Sequence, residues 1–362
     1  MCNVRDRTKE VKRFRYLSKK RPMKYWSLVF VAMAGAMLLL SEYNETDADP
    51  PVELGKVKWL RNFDEGLRKS AQLDKPVFLL FQEVPGCATC QHYGQQVLSH
   101  PLIVEAIEEY FVPVAIYNNK GGKDAEVLKY YDEPSWNNPV VRIVDHDRLD
   151  IMPRLSGDYS PRAVVQQMAF ALERRGKPVP AYLRLLHEEL TARSGGSEQA
   201  TFAMYCFWTG EKQLGQLEGV VETKAGFMDG REVVQVTYDP TVISYEEVLD
   251  EGRKTRCADK AYVHNEQQAR IAKQALGGNA VKSTANFRPD SQPKYYLAQT
   301  HYRAVPMTES QAARANALIG SGKSPDAVLS PRQIVLAKEA RSAPDSKLKN
   351  RIGKDIMATW AW

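Results

Sequence analysis

Cysteine is scarce in this chain, and that scarcity excludes a good deal. Five cysteines in 362 residues (Cys2, Cys87, Cys90, Cys206 and Cys257) are too few for a small fold stapled by disulfides. Neither Cys206 nor Cys257 has a second Cys or His three or four residues away. The paired spacing of a structural zinc site is therefore missing, and no metal is expected. An excess of positive charge is missing from the body. The chain carries +6 overall, but ten Lys/Arg between Arg5 and Lys24 face only Asp6 and Glu10, a local net of +8 that leaves −2 for everything after it. The basic pI of 8.9 thus belongs to one arm, and the body has no electrostatic warrant for binding nucleic acid. The 43% hydrophobic content is enough for real cores, and the length suits two domains with appendages.

The arm (residues 1–24) runs into an uncharged stretch, 25–41, with Leu28-Val29-Phe30-Val31 and Met37-Leu38-Leu39-Leu40 near its ends. Glu42, Glu45, Asp47 and Asp49 follow. Such asymmetry keeps the basic side cytoplasmic and sends the rest of the chain across a membrane. The stretch is at the short end for a spanning helix and just above the length of a signal core. An uncleaved anchor, a cleaved signal and a buried helix all remain open, as does a start at Met23 in place of Met1. Residues 42–57, acidic and with Pro50-Pro51, read as a linker.

The exported part is organised around Val84-Pro85-Gly86-Cys87-Ala88-Thr89-Cys90. An apolar run, Val77–Phe81, precedes it and a helix-compatible stretch, Gln91–Leu98, follows. Strand, loop and helix would put Cys87 at a helix N-terminus, where unpaired N–H groups and the dipole favour a thiolate. Cys90 lies within reach to close a disulfide. Around this motif the pattern predicts a helix from about Trp59 to Ala71, and a second opened by His100-Pro101. It further predicts strands at Phe111–Tyr117 and Val140–Val144, a short strand near Ile151–Leu155, and a closing helix from Ser160-Pro161 to about Arg174.

That order, over roughly residues 58–176, resembles the thioredoxin superfamily. The resemblance implies that Cys87 is the attacking thiol, Cys90 the resolving one, and Pro139 a cis-proline facing them and their substrate. The Val-Pro-Gly-Cys string is closer to a bacterial thioredoxin-like group than to thioredoxin, and Ala88-Thr89 departs from Gly-Pro, so no redox potential carries over. Read on its own, the pair also fits a static disulfide or a structural zinc half-site.

After a linker with a helix (177–198), a second unit begins at Ala200-Thr201-Phe202 and Cys206-Phe207-Trp208. It continues with Glu211, Leu217-Glu218-Gly219-Val220, Ala225-Gly226-Phe227, Glu232–Pro240 and Ile243–Leu249, with a fainter run at Tyr295-Tyr296-Leu297-Ala298. The ordered run, dense over 199–250 and weaker through His264–Gln268 and Tyr295–Ala298, resembles the peptide methionine sulfoxide reductase A family, whose domain is expected over 199–341. The predicted elements are a strand at Thr201–Tyr205, a helix at Gly210–Leu217, strands at Val220–Gly226 and Glu232–Asp239, and a helix at Tyr245–Gly252. The resemblance implies that Cys206 attacks the sulfoxide sulfur, that Phe207 and Trp208 wall a pocket for the methyl group, and that Glu232 is the acid. Cys206 would be left as a sulfenic acid needing a second thiol. The chain departs from the family in four places. Its usual glycines before the cysteine are replaced by Ala203-Met204-Tyr205. A tyrosine-bearing loop before Glu232 is shortened, and the Asp-x-Gly-Thr-Gln-Tyr-Arg string is absent, leaving Cys257 near the place of its tyrosine as a possible resolving thiol. The family's C-terminal recycling cysteines are also absent.

Thr308 and Ser330 open two further helices, each with Gln three residues on, and the charged residues 342–362 read as a mobile tail in which Trp360 and Trp362 have no evident role. The fold class expected is α/β and α+β: anchor or signal, thioredoxin-like fold, then a reductase A-like fold. The function expected is thiol-dependent reduction of methionine S-sulfoxide, with the first domain as reductant. A membrane thiol donor and oxidised proteins would be its partners, the domains would lie on the extracytoplasmic side, and no cofactor would be needed. The rival is a membrane-anchored thiol–disulfide oxidoreductase with a degenerate docking domain.

Overall fold

The structure is a computed structural model that describes residues 50–362 apart from 255–257, 283–284, 355 and 361–362. The expected anchor at 25–41 and the candidate resolving thiol Cys257 lie outside the described residues. Among those residues no helix is long and apolar enough to cross a membrane.

A single-turn helix at Val52–Leu54 leads to α1 (Phe63–Leu73). Asn62 caps α1 by accepting the Glu65 N–H at 3.1 Å, so the helix starts after Trp59. Its buried face is Phe63, Gly66, Leu67 and Ser70, the i, i+3, i+4, i+7 stripe. Ala71, expected inward, is exposed. Next come β1 (Val77–Gln82), α2 (Ala88–Gln96), α3 (Pro101–Tyr110), β2 (Val112–Tyr117) and α4 (Lys123–Tyr130). The sequence reading missed α4, which buries only Val127 and Leu128. β3 (Val140–Val144), β4 (Leu155–Ser156) and α5 (Pro161–Arg174) complete the unit. The sheet order is β2-β1-β3-β4, with β1 parallel to β2 and antiparallel to β3. Every residue of β1 is buried, as its unbroken apolar run demands of a strand covered on both faces.

The stretch read as an acidic linker is structural from Val52 onward. Leu54 and Val57 are buried in the core beneath α2. The turn approaches so closely that a Cβ on Gly94 would lie 1.9 Å from the Val52 carbonyl oxygen, so only glycine fits there.

α6 (Ala181–Gly195) joins the halves. Its Tyr182, Leu183 and Leu186 pack into the first core, while Leu185 joins a second cluster with Leu297, Ala315 and Val328. The second sheet runs β10-β6-β7-β5-β8-β9. Its strands are β5 (Glu198–Met204), β6 (Val220–Met228), β7 (Arg231–Tyr238), β8 (Ala258–Tyr262), β9 (Ala280–Val281) and β10 (Arg288–Pro289). The helices around it are α7 (Phe207–Leu214), α8 (Tyr245–Lys254), α9 (Glu266–Leu276) and α10 (Tyr295–Ala298). α7 starts at Phe207, earlier than the predicted Gly210, because Phe207, Gly210, Glu211 and Leu214 form one buried stripe.

α11 (Glu309–Gly320) and α12 (Pro331–Ser342) each begin with the capping box that Thr308-x-x-Gln311 and Ser330-x-x-Gln333 announced. The tail is not loose. Beyond α13 (Asp345–Leu348), α14 (Ile356–Thr359) places Ile356 and then Trp360 in the core of the first domain, and the Arg332 guanidinium lies 5.4 Å from the Trp360 ring centre. Burial of an indole and an isoleucine outweighs the solubility of the charges around them.

Candidate functional site

Cys87 is the N-cap of α2, with extended backbone (φ −70°, ψ 173°), and is exposed. Cys90, in the first turn, is fully buried with its Sγ 3.5 Å from that of Cys87. The pair is present as free thiols. The two thiols differ sharply. Hydrogen bonding from the Cys90 backbone N–H at the start of the helix holds the Cys87 thiol below its usual range. Burial, then the neighbouring Cys87, push Cys90 up to about 12. An exposed, acidified thiol beside a buried one with a raised pKa has the chemistry that an attacking and a resolving thiol need.

The loop is braced from behind. Gln82 donates through Nε2 to the Glu53 carbonyl at 2.8 Å and to the Cys90 carbonyl at 3.1 Å. The buried Glu53 carboxylate accepts the Gly86 N–H at 2.8 Å. Both Val84-Pro85 and Asn138-Pro139 are cis, the second as expected. Pro139 itself is buried; the group that meets the pair is Asn138, whose Oδ1 accepts from the Cys90 thiol at 2.6 Å. Glu83 completes the cluster. One of its carboxylate oxygens and both sulfurs all lie within 4.8 Å of one another. Neither Asn138 nor Glu83 had been singled out from the sequence. Glu83 directly precedes the Val84–Cys90 motif, but nothing local shows which way it faces.

Cys206 is the N-cap of α7 and is half-buried, its Sγ accepting from the Thr209 hydroxyl at 3.5 Å. Met204 fills the space against Gly210, while Tyr205, standing where the family has glycine, is 90% exposed beside the thiol. Glu232, at the start of β7, is half-buried, and its Oε2 accepts the backbone N–H of Phe207 at 3.0 Å. The structure thus brings Cys206, Phe207, Trp208 and Glu232 together, as expected.

The aromatic wall is larger than the sequence indicated. Phe207 packs against Phe227 (ring centres 5.3 Å apart), and Trp208 stacks on Tyr295 at 3.8 Å with 12° between planes. Trp208 also donates through Nε1 to Asp290 at 3.2 Å. Tyr295 is held by the residue before it. Lys294 adopts left-handed backbone (φ 57°), unusual for a side-chain-bearing residue, and donates its N–H to Glu211 Oε2 and its Nζ to Glu211 Oε1, both at 3.1 Å. Glu211 is fully buried, one turn along α7 from Trp208. Tyr295 lay in a string matching the family, but its contact with Trp208 spans too much chain for any local pattern to show.

Comparison with known proteins agrees with both halves. The family model described as Thioredoxin-like matches residues 58–146. A peptide methionine sulfoxide reductase MsrA 1 of Nostoc sp. is 31% identical over 157 residues, covering 32% of this chain and 93% of that protein. The MsrA of Salmonella typhimurium is 30% identical over 175 residues, covering 37% of this chain and 82% of its own. That of Salmonella arizonae reaches 40% over 100 residues, covering 22% and 47%. A solved chain described as DsbH oxidoreductase aligns at 18% identity over 38% of this chain and 98% of its own, with a TM-score of 0.29. By the extent and identity of these matches, the chain belongs to the peptide methionine sulfoxide reductase A family and carries a thioredoxin-like domain at residues 58–146.

Proposed function

We propose that Cys206 reduces methionine S-sulfoxide in proteins or peptides, and that Cys87 and Cys90 provide the two electrons that restore it. The observation that carries this reading is the placement of Cys206 at the α7 N-terminus. Glu232 sits on the adjoining N–H, and Phe207, Trp208, Phe227 and Tyr295 form an apolar wall beside it. The methyl group of the substrate rests against that wall while the sulfur meets Sγ.

The sulfur of Cys206 attacks the sulfoxide sulfur, Glu232 protonates the oxygen, and oxygen passes to the cysteine. The products are the thioether and a sulfenic acid on Cys206. The Cys87 thiolate then attacks the sulfenic sulfur, forming a Cys87–Cys206 disulfide and releasing water. Cys90 attacks Cys87, frees Cys206 as a thiol, and leaves a Cys87–Cys90 disulfide. No cofactor enters this scheme. An external dithiol must reduce the last disulfide, and we assign that role to a membrane thiol relay. The basic arm and the uncharged stretch 25–41 support a single-pass anchor, with both domains on the extracytoplasmic side. We assign residues 58–176 and 199–341 to the two domains.

The test is steady-state turnover of a methionine-S-sulfoxide peptide by the full chain with dithiothreitol. The reading requires turnover in the wild type and none in Cys206→Ser. Absence of turnover in the wild type, with protein-disulfide reduction intact and dependent on Cys87, would instead establish the oxidoreductase with a docking domain.

A further inference from the structure

The cluster at the tip of β1 has one property that thiol exchange does not use. Three ligand atoms of the kinds that bind a borderline-soft cation converge there: Sγ of Cys87, Sγ of Cys90 and a carboxylate oxygen of Glu83, all within 4.8 Å of one another. In tetrahedral zinc geometry, bonds of about 2.3 Å to sulfur put two sulfurs about 3.8 Å apart. Cys87 and Cys90 are already 3.5 Å apart. Glu83 is half-buried, and among the described residues its carboxylate makes no ion pair. Cys87 is exposed, which leaves a side open for entry and for a fourth ligand from solvent. Asn138, next to Cys90 Sγ, can turn its amide to donate to the metal-bound thiolate, an outer contact of the kind that steadies metal ligands.

We infer that the reduced Cys87–Cys90 pair, with Glu83, forms a reversible binding site for one Zn²⁺ ion. Two zinc–sulfur bonds form as the two thiol protons leave to solvent, and the carboxylate supplies the third ligand. No electrons move. Zinc and the disulfide exclude each other, since both use the same two sulfurs. Occupancy therefore withholds the electrons of the first domain from Cys206 and shields the pair from oxidation, and reduction of the disulfide opens the site. A sequence search for zinc looks for a second Cys/His pair and passes over this third ligand, which lies four residues before Cys87 in the same loop.

The site extends the redox reading of Cys87 and Cys90 and does not depend on what Cys206 acts upon. The experiment is competition between a chromophoric zinc chelator and the full chain, made anaerobically after removal of reductant, with the chain either reduced or oxidised at Cys87–Cys90. One Zn²⁺ per reduced chain, none per oxidised chain, unchanged binding in Cys206→Ser and at least tenfold weaker binding in Glu83→Ala are expected. Glu83→Gln, which keeps the shape of the loop, guards against misfolding and is expected to weaken binding in the same sense. Co²⁺ in place of Zn²⁺ should show sulfur-to-metal charge transfer that Cys87→Ser abolishes. Zinc held equally by the oxidised chain, no zinc held by the reduced one, or full affinity in Glu83→Gln would overturn the site. Disulfide cycling that persists in metal-free protein alongside any of those results would leave the redox reading standing.

Discussion

The carboxylate of Glu232 accepts the backbone N–H of Phe207 at 3.0 Å, and Phe207 is the residue directly after Cys206. One hydrogen bond thus ties the β7 carboxylate to the helix N-terminus at Cys206. It satisfies a donor that the first turn leaves unpaired, and it holds the carboxyl on the backbone of the residue next to Cys206. The same contact would serve a mere helix cap, and the two roles separate on substitution. Glu232→Gln keeps an oxygen for the Phe207 N–H but removes the acid. We expect kcat/KM for the sulfoxide to fall by about 10²–10⁴ with little change in thermal stability. An unaltered rate in a folded Glu232→Gln chain would reduce Glu232 to a cap.

The two thiols of the first domain should titrate far apart. Cys87 is held below its usual range by hydrogen bonds at the helix start, whereas burial lifts Cys90 to about 12. Of this pair, iodoacetamide should therefore alkylate Cys87 and spare Cys90 at neutral pH, with Cys90 resisting until strongly alkaline conditions. The linkage has a sign. Because the folded chain raises the Cys90 value above its ordinary 9.0, the stability this confers is complete below pH 9 and is lost as pH rises towards 12. Mass mapping of the alkylated peptides checks the first statement and alkaline unfolding of the reduced chain the second.

Lys294 and Glu211 form a buried pair directly before Tyr295, the ring that stacks on Trp208. Removing one partner leaves the other charge uncompensated in the interior, so Lys294→Met should cost about 3–5 kcal/mol. The double variant Lys294→Met with Glu211→Gln should regain much of that, because no bare charge remains. Denaturant unfolding of the three proteins decides this. Equal losses in the single and double variants would mean that the pair contributes nothing as a pair.

Tyr295→Ala should remove part of the aromatic wall and leave Cys206 in place. A stacked ring contributes about 0.5–1.5 kcal/mol beyond its buried area. KM for a sulfoxide peptide should then rise by up to about tenfold, and kcat should change less, while Tyr295→Phe should behave as the wild type. A fall in kcat alone would assign the tyrosine hydroxyl a part in the chemistry.

Trp360 tests whether the end of the chain is part of the fold. Its indole is 7% exposed within the core of the first domain. Trp360→Ala should destabilise the protein by about 3–5 kcal/mol. A denaturation midpoint equal to that of the wild type would return the tail to solvent.

Much of this architecture could be read from local pattern, because local pattern carried it. The unbroken run of β1, the Pro-opened helices α3 and α5 and the two capping boxes each contain their own signal within a few residues. What escaped was of two kinds. Segments with little periodicity took their structure from distant partners: the turn at Val52–Leu54 from α2, the two-residue strands β9 and β10 from longer neighbours, and the tail from a core formed far earlier in the chain. Site residues that act across the fold gave no sequence sign. Asn138 meets Cys90 across 48 residues, and Trp208 meets Asp290 across 82. Cys206, Phe207, Trp208 and Glu232 were legible because each lies inside a short string that resembles the reductase family. The contacts of Tyr295, Glu83 and Asn138 became visible only when the chain was folded around them.

The central claim is that one chain holds both the sulfoxide-reducing thiol and its reductant. It is tested by a single turnover of the fully reduced full-length chain with a methionine-S-sulfoxide peptide and no other reductant, followed by mapping of every cysteine. Our account predicts one methionine formed per chain and a disulfide between Cys87 and Cys90, with Cys206 returned to the free thiol. Methionine formed with Cys206 left as a sulfenic acid and Cys87 and Cys90 still reduced would contradict it.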